Sequence, residues 1–133
     1  MMEVVNLTKT RILAKKIIKL AELVLRKEKR QGKDLSVVLV LPQKMRQLNK
    51  VWRGKNKATN VLAFPGGTEA LGEIVLCPLV IRKDALEYKI SFQKALSWMF
   101  VHGLLHLLGY DHETKRKEQV MIQKEQRYLT LFA

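Results

Sequence analysis

Apolar residues recur along this chain at helical spacing in some segments and in short continuous runs in others. The first helix is expected to begin after a cap at Thr8 or Thr10 and to continue to about Arg30, before Gly32 ends it. Its apolar face is formed by residues three or four positions apart, Leu13, Ile17, Leu20 and Val24. The pattern therefore predicts one long amphipathic helix near the start of the chain.

Short apolar runs bounded by turn residues predict extended segments at residues 4–7, 35–41, 61–64 and 72–77, the second of them buried on both faces. Further helices are predicted at residues 43–51, 78–89, 92–108 and 115–131, and Ser91 is expected to cap the third of these. A basic loop is expected at residues 52–57. Strands interleaved with helices predict an α+β fold, close to α/β, with a single mixed sheet of about four strands flanked by about five helices.

The length and composition predict one domain covering residues 1–133. A chain of 133 residues that is 47% hydrophobic can bury about two thirds of its unfolded surface. No apolar run approaches the roughly 18 residues of a membrane span, and no apolar signal segment is seen, so a cytoplasmic protein without a membrane partner is expected. The single cysteine, Cys77, is expected to be a buried thiol without a catalytic role.

The charge of the chain indicates a polyanionic partner. A formal net charge of +13, from 25 Lys and Arg against 12 Asp and Glu, attracts nucleic acid at long range. Residues 35–68 contain no acidic side chain, and the candidate phosphate-contacting cations of this segment are Lys44, Arg46, Lys50, Arg53, Lys55 and Lys57. The lysines of the first helix, at positions 15, 16 and 19, could equally form a solvated helix face.

All three histidines fall within one eleven-residue stretch, at positions 102, 106 and 112. His102 and His106 are four residues apart, so on a helix they share a face. Gly109 can adopt the positive φ that ends a helix, which returns His112 toward the pair. Three imidazoles that leave a fourth position open are typical of a catalytic zinc site. Zinc is the default expectation, and imidazole also suits nickel, copper and iron.

A metal with an open coordination position favours hydrolysis, and two classes of substrate compete. The spacing of His102, His106, Gly109 and His112 equals that of the metzincin peptidases. Those enzymes carry a general-base glutamate directly after the first histidine, where this chain has Gly103, so a metallopeptidase is the less favoured alternative. Phosphodiester cleavage needs charge neutralisation around phosphorus, which the guanidinium of Arg53 could supply.

At this point a family resemblance is specific. Residues 102–112 resemble the pattern H-G-x-L-H-L-x-G-Y-D-H of the YbeY family of endoribonucleases. Two further blocks agree in the same order: Leu48-Asn49 with Trp52-Arg53-Gly54-Lys55 and residues 59–65, and then the weaker block of residues 71–75. Together these blocks cover about residues 48–112, and the flanking helices fit the family less specifically.

The resemblance implies a metal-dependent, single-strand-specific endoribonuclease acting in ribosomal RNA maturation and ribosome quality control. The family's metal ligands fall on His102, His106 and His112, and its functionally required arginine falls on Arg53. Single-stranded ribosomal RNA, the small ribosomal subunit and assembly factors are the implied partners. A monomer is expected.

The chain departs from the family pattern at three places. Glu73 replaces the usual aspartate of the weaker block, and the segment between Pro65 and Leu71 is short. After His112 the family is often acidic, whereas this chain continues with the cations Lys115, Arg116 and Lys117. These changes affect the expected details of substrate binding and leave the three histidines untouched.

Two roles remain open for Asp111. Its carboxylate could take a proton from water, or it could accept a hydrogen bond from a ligand imidazole, and the second role is favoured. Trp52 is expected to pack in the loop, although its place beside Arg53 keeps base stacking open. A noncatalytic RNA-binding assembly factor with a structural metal is a third hypothesis, distinguished from a nuclease by whether the purified protein cuts RNA.

Overall fold

A computed structural model describes residues 1–132 and contains one four-stranded sheet and five helices. In chain order the elements are β1 (Met2–Asn6), α1 (Ala14–Lys27), β2 (Asp34–Leu39), α2 (Pro42–Arg53), β3 (Val61–Pro65), β4 (Ala70–Leu76), α3 (Pro78–Tyr88), α4 (Phe92–Leu107) and α5 (Lys115–Phe132). This arrangement confirms the predicted α+β class and the mixed sheet.

The sheet has the strand order β1-β2-β4-β3. β1 and β4 both run parallel to β2, and the parallel connection from β1 to β2 is made by α1. β3 is antiparallel to β4, pairing Val61 with Leu76 and Pro65 with Gly72. β3 is therefore an edge strand of this sheet, and its outer side is available to form the wall of a groove.

The two faces of the sheet are covered by different helices. On one face, Leu35, Val37, Leu39, Ile74 and Leu76 join the main core with residues of α1, α3, α4 and α5. On the other face, Leu62 and Val75 pack with Met45 of α2 and with Cys77. The Cys77 side chain is fully buried, as predicted, and burial raises the pKa of its thiol.

α4 is the central helix, and Gly103 allows it to lie close to the sheet. A Cβ atom at this position would come within 3.1 Å of the Val61 Cγ2 atom and 3.2 Å of the Ile74 Cγ2 atom. Contacts this short crowd both neighbours, so the glycine has a packing role where helix and sheet meet. The helix that carries the first two histidines is thereby fixed against β3 and β4.

The predicted start of α1 was wrong. Neither Thr8 nor Thr10 caps it; the helix begins at Ala14, and Leu13 at its N-cap makes no side-chain hydrogen bond. Thr8 instead donates its backbone N–H and its hydroxyl to Asn6 Oδ1, and Asn6 Nδ2 donates to the Thr10 carbonyl. This local network offers the backbone an alternative to the helix, which is typical of Asn and Thr.

The other element bounds differ by one or a few residues. α1 ends at Lys27, earlier than the expected Arg30, and Lys29 and Gly32 both adopt positive φ in the turn that follows. α2 begins at Pro42, and residues 52 and 53, expected in a loop, form its last turn. No helix in the described residues is long and apolar enough to cross a membrane.

Candidate metal centre

The three histidines converge at the end of α4. His102 and His106 lie on the same face of this helix, and their Nε2 atoms are 3.2 Å apart. One nitrogen from each of the three rings, including that of His112, lies within 4.8 Å of the other two. His102 and His106 are partly buried and His112 is exposed, so the cluster opens toward solvent on the His112 side.

Gly109 makes this convergence possible, as its spacing predicted. It has a φ of 101°, which favours glycine, and its N–H donates to the His106 carbonyl at 3.0 Å. The Tyr110 N–H donates to the Leu105 carbonyl, also at 3.0 Å. These two bonds form a Schellman motif, which ends the helix and turns the chain back toward the first two histidines.

The donor set fits a divalent transition metal. Two nitrogens that bind one tetrahedral zinc ion at about 2.0 to 2.1 Å lie about 3.3 Å apart, close to the separation of His102 and His106. Burial lowers the pKa of His106, and the neighbouring His102 and His112 lower it further. An unprotonated imidazole is the form that coordinates a metal.

A buried carboxylate holds the first histidine, and the sequence analysis missed it. Glu125 of α5 is only 3% exposed, and its Oε2 atom lies 2.7 Å from Nδ1 of His102. Its other oxygen accepts a hydrogen bond of 2.8 Å from the Trp98 indole. The signal was present in the helical pattern, since Glu125 shares the buried face of α5 with Met121 and Tyr128.

A second polar cluster anchors the turn that carries His112. Glu28, which follows α1, accepts a hydrogen bond of 2.6 Å from the Tyr110 hydroxyl and one of 3.0 Å from Lys124 Nζ. The hydroxyl of Tyr128 donates to the same carboxylate. Tyr110 therefore ties the histidine turn to the end of α1 and, through Glu28, to α5.

A groove of about 600 Å³ runs past the histidines along the edge strand β3. Arg53 and Trp52, from the last turn of α2, line it together with all three histidines, residues 59–65, Asp111 and Glu113. Trp52 is 66% exposed and makes an edge-to-face contact with Phe64, with ring centroids 5.8 Å apart. Arg53 and the histidine cluster thus share one open groove, although they are far apart in sequence.

The remaining cations proposed from the sequence lie along α2 and the segment that follows it. All of them are exposed: Lys44, Arg46, Lys50, Lys55 and Lys57. Asn49 is only 1% exposed, and its side-chain amide donates to the Lys57 carbonyl at 2.9 Å. The backbone carbonyl of Asn49 accepts a hydrogen bond from the Lys55 N–H. A buried asparagine thereby ties the basic segment to α2.

Asp111 lies in the groove, where it makes contacts outside the histidine cluster. Its Oδ1 atom accepts from the Glu113 N–H at 3.1 Å, and its Oδ2 atom is 3.7 Å from Lys117 Nζ. The carboxylate contact to a histidine that the sequence suggested for Asp111 is made in this structure by Glu125. Asp111 remains a proposed base on the groove side of the centre.

Fold and site together define an α+β protein with an open three-histidine centre beside an arginine-bearing groove. The family profile described as endoribonuclease YbeY matches residues 3–133. Curated proteins described by the same name are similar to the chain: one from Bdellovibrio bacteriovorus is 42% identical over 69% of this chain and 62% of its own length. A Thermotoga maritima protein is 39% identical over 71% of this chain and 65% of its own length. One from Legionella pneumophila is 40% identical over 85% of this chain and 76% of its own length.

The solution structure of TM1509 from Thermotoga maritima is also similar, with a TM-score of 0.75 and 31% identity over 99% of this chain and 89% of that one. The chain belongs to the YbeY family, as its motifs predicted. The match spans just under two thirds of the length of the Bdellovibrio and Thermotoga relatives.

Proposed function

We propose that the protein is a metal-dependent, single-strand-specific endoribonuclease. The observation that carries this proposal is the shared groove, in which an open cluster of three imidazoles and the exposed guanidinium of Arg53 line one surface. A metal ion and an arginine can each stabilise the negative charge that develops on the phosphate oxygens during phosphodiester hydrolysis. The name of the family and of its curated members supports the same reaction.

Each residue has a distinct part in this reaction. His102, His106 and His112 hold the ion, and zinc is the proposed ion because three nitrogens with an open fourth position suit it, although nickel or another divalent metal fits the same ligands. A bound ion would supply Lewis acidity and would make water more acidic at this position. Arg53 binds the phosphate through two parallel N–H groups, and Glu125 fixes the tautomer and orientation of His102. Asp111 is the proposed acceptor of the proton from water.

Single-stranded RNA suits the cations that surround Arg53 in the chain. These exposed cations, on α2 and residues 54–57, flank Arg53 in sequence and can attract a phosphate backbone toward the groove that Arg53 lines. Trp52 offers an exposed aromatic face to an unstacked base. The noncatalytic assembly factor remains the alternative, because an RNA-binding surface alone needs the same cations. A peptidase is disfavoured by Gly103, which supplies no general base.

The proposal extends to the setting of the protein. A single domain, a monomer and a cytoplasmic location are proposed, with ribosomal RNA as substrate and the small ribosomal subunit and its assembly factors as partners. The high positive charge supports a polyanionic substrate, and the names of the relatives support RNA.

The test compares wild type with Arg53→Ala and His106→Ala on single-stranded RNA, using protein loaded with zinc and freed of contaminating nucleases. We expect Arg53→Ala to keep the metal and the melting temperature and to lose cleavage by about 100-fold or more. His106→Ala should lose both metal and cleavage. Arg26→Ala, an exposed arginine on α1, is the matched control and should behave as wild type. Binding of RNA by the wild type without cleavage would instead establish the assembly factor.

A further inference from the structure

A second cavity, of about 380 Å³, lies beside the histidine cluster. His102 and His112 line both this cavity and the groove that contains Arg53, so the centre lies between the two spaces. The walls of the cavity come mainly from α3, α4 and α5. A polymer whose phosphate lies at the centre could therefore place an adjoining chemical group in the cavity while its backbone continues along the groove.

The walls of this cavity suit a flat aromatic group. Trp98 and Tyr88 meet edge to face with their ring centroids 5.9 Å apart, and Met99 and Ile122 add apolar surface. A small number of polar groups among apolar and aromatic walls is typical of a site for a small ligand. Stacking on aromatic side chains is the usual way in which proteins hold an unstacked base.

The charge of the cavity is opposite to that of the protein as a whole. Its polar lining includes the carboxylates Asp84 and Glu118, in a chain with a net charge of +13. The groove also has two carboxylates, Asp111 and Glu113, but Arg53 lies there, whereas the described residues that line the cavity include no Lys or Arg. Phosphate is therefore attracted to the groove side of the centre and repelled from the cavity. Carboxylates accept hydrogen bonds from the amino groups of nucleobases, as the pairing of Glu or Asp with the cytosine amino group illustrates.

The Asp84 carboxylate is held in a defined position. Asn60 Nδ2 donates to its Oδ2 atom at 3.1 Å, and the backbone carbonyl of Asn60 accepts from the Cys77 N–H at 2.9 Å. Asn60 lines both spaces, directly before the edge strand β3. The acceptor is thus fixed by residues that also border the groove, as a site that reads a base beside a bound phosphate requires.

We propose that this cavity binds one nucleobase of the RNA, next to the phosphate that is cut, and selects a base that carries an amino group. Guanine is the best fit, since its ring N–H and its amino group present two adjacent donors to one carboxylate, whereas uracil has no amino group. This proposal rests on the proposed nuclease function, because it places the reacting phosphate at the histidine cluster.

The first experiment measures binding without cleavage. Zinc-loaded protein is titrated with guanosine, cytidine or uridine, which lack phosphate, and the indole N–H signals of Trp98 and Trp52 are followed by NMR. We expect guanosine to shift the Trp98 signal, uridine to shift it much less, and Trp52 to respond weakly. Asp84→Asn and Tyr88→Ala should each lower the affinity for guanosine, obtained from the Trp98 signal, by about 10-fold. Glu87→Gln, which changes an exposed carboxylate on the same helix, should leave this affinity unchanged. A Trp98 signal that does not respond to any nucleoside would overturn the proposal.

The second experiment uses short RNAs that differ in one base, or lack that base, on either side of the cut. We expect kcat/KM to be about 10-fold higher with guanine than with uracil at one of these positions, and Asp84→Asn to remove most of that preference. Equal cleavage of all the RNAs would refute base selection and leave the nuclease intact. If no RNA is cut, the nuclease proposal fails, and the nucleoside titration still decides whether the cavity binds a base.

Discussion

Glu125 of α5 and His102 of α4 are joined by a contact of 2.7 Å, although the two residues are 23 positions apart along the chain. Both carboxylate oxygens are used, since the second accepts from the Trp98 indole at 2.8 Å. A carboxylate at Nδ1 keeps the proton on that nitrogen, so the lone pair of Nε2 faces the other histidines. The geometry of the metal centre therefore depends on the docking of α5 against α4.

The first prediction concerns this contact. Glu125→Ala should lower the affinity for zinc by about 10- to 100-fold, because His102 loses the acceptor that fixes its tautomer. Glu125→Gln should lower it less, since the amide oxygen can still accept one hydrogen bond. Competition with a coloured chelator would measure the affinity. Glu22→Gln, an exposed change on α1, is the control, and an unchanged zinc affinity in Glu125→Ala would remove the positioning role.

The contrast between Glu125 and the histidines shows what local sequence can predict. His102, His106, Gly109 and His112 form a site within one helix and its turn, so spacing and the freedom of glycine were enough to predict their convergence. Glu125 reaches the site only through tertiary packing, and its position on a buried helical face pointed to a contact without naming the partner. Arg53 joins the site from a helix on the other face of the sheet. The chemistry of its guanidinium suggested a role in binding phosphate, and the family resemblance pointed to the same residue.

The predicted start of α1 was wrong because it depends on which side chains bond to the backbone before the helix. Thr8 and Thr10 are good capping residues, but Asn6 competes for their backbone through side-chain hydrogen bonds. The apolar spacing correctly predicted the buried positions Ile17, Leu20 and Val24, but Leu13, predicted on the same face, lies at the N-cap and is 38% exposed. The buried positions of the helix were therefore predicted better than its ends, because the end of a helix depends on a few hydrogen bonds between neighbouring residues.

The second prediction concerns pH and the Glu28 cluster. Burial raises the pKa of Tyr128 to about 12, and its hydrogen bond to Glu28 contributes to the shift. The fold favours the protonated phenol, so this stabilisation is complete below about pH 10 and is lost as the pH rises from about 10 to 12. Glu28→Gln should bring the tyrosine titration closer to its ordinary range, as measured by tyrosinate absorbance, whereas Glu22→Gln should not.

The third prediction concerns the acid side of the same cluster. Burial alone would raise the pKa of Glu28, but hydrogen bonds from Tyr110, Tyr128 and Lys124 outweigh it and hold the pKa below its usual value. The folded state thus favours the carboxylate, so its stabilising contribution is present above about pH 4.5 and is lost as the pH falls through the lowered value. Denaturation by urea across this range should show a steeper loss of stability in wild type than in Glu28→Gln. Parallel pH profiles for the two proteins would contradict this linkage.

The fourth prediction concerns Asn49 and the basic segment. Asn49→Ala removes the hydrogen bond to the Lys57 carbonyl in a buried position and should cost about 1 to 3 kcal/mol of unfolding free energy. Amide hydrogen exchange should become faster at residues 54–60, and RNA affinity should fall, because the cations of this segment lose their fixed position. Gln47→Ala, an exposed change on the same helix, is the matched control. A global loss of protection throughout the chain, equal in all elements, would show that Asn49 serves the core and not the segment.

The last prediction concerns Gly103, the position at which a metzincin peptidase has its glutamate. A Cβ atom at this position would lie 3.1 Å from Val61 and 3.2 Å from Ile74. Gly103→Glu should therefore lower the free energy of unfolding by more than about 3 kcal/mol, because it crowds these neighbours and buries an unpaired carboxylate. The variant should not hydrolyse casein. Gly103→Ala tests the crowding alone. In a double-mutant cycle, the loss of unfolding free energy caused by Gly103→Ala should be smaller in a Val61→Ala background, where one of the two crowded side chains has been shortened. Urea denaturation gives both free energies. If the losses caused by Gly103→Ala and Val61→Ala are strictly additive, the helix and the sheet relax around the new methyl group. If Gly103→Glu folds and cleaves casein, only the missing general base separates this centre from a peptidase.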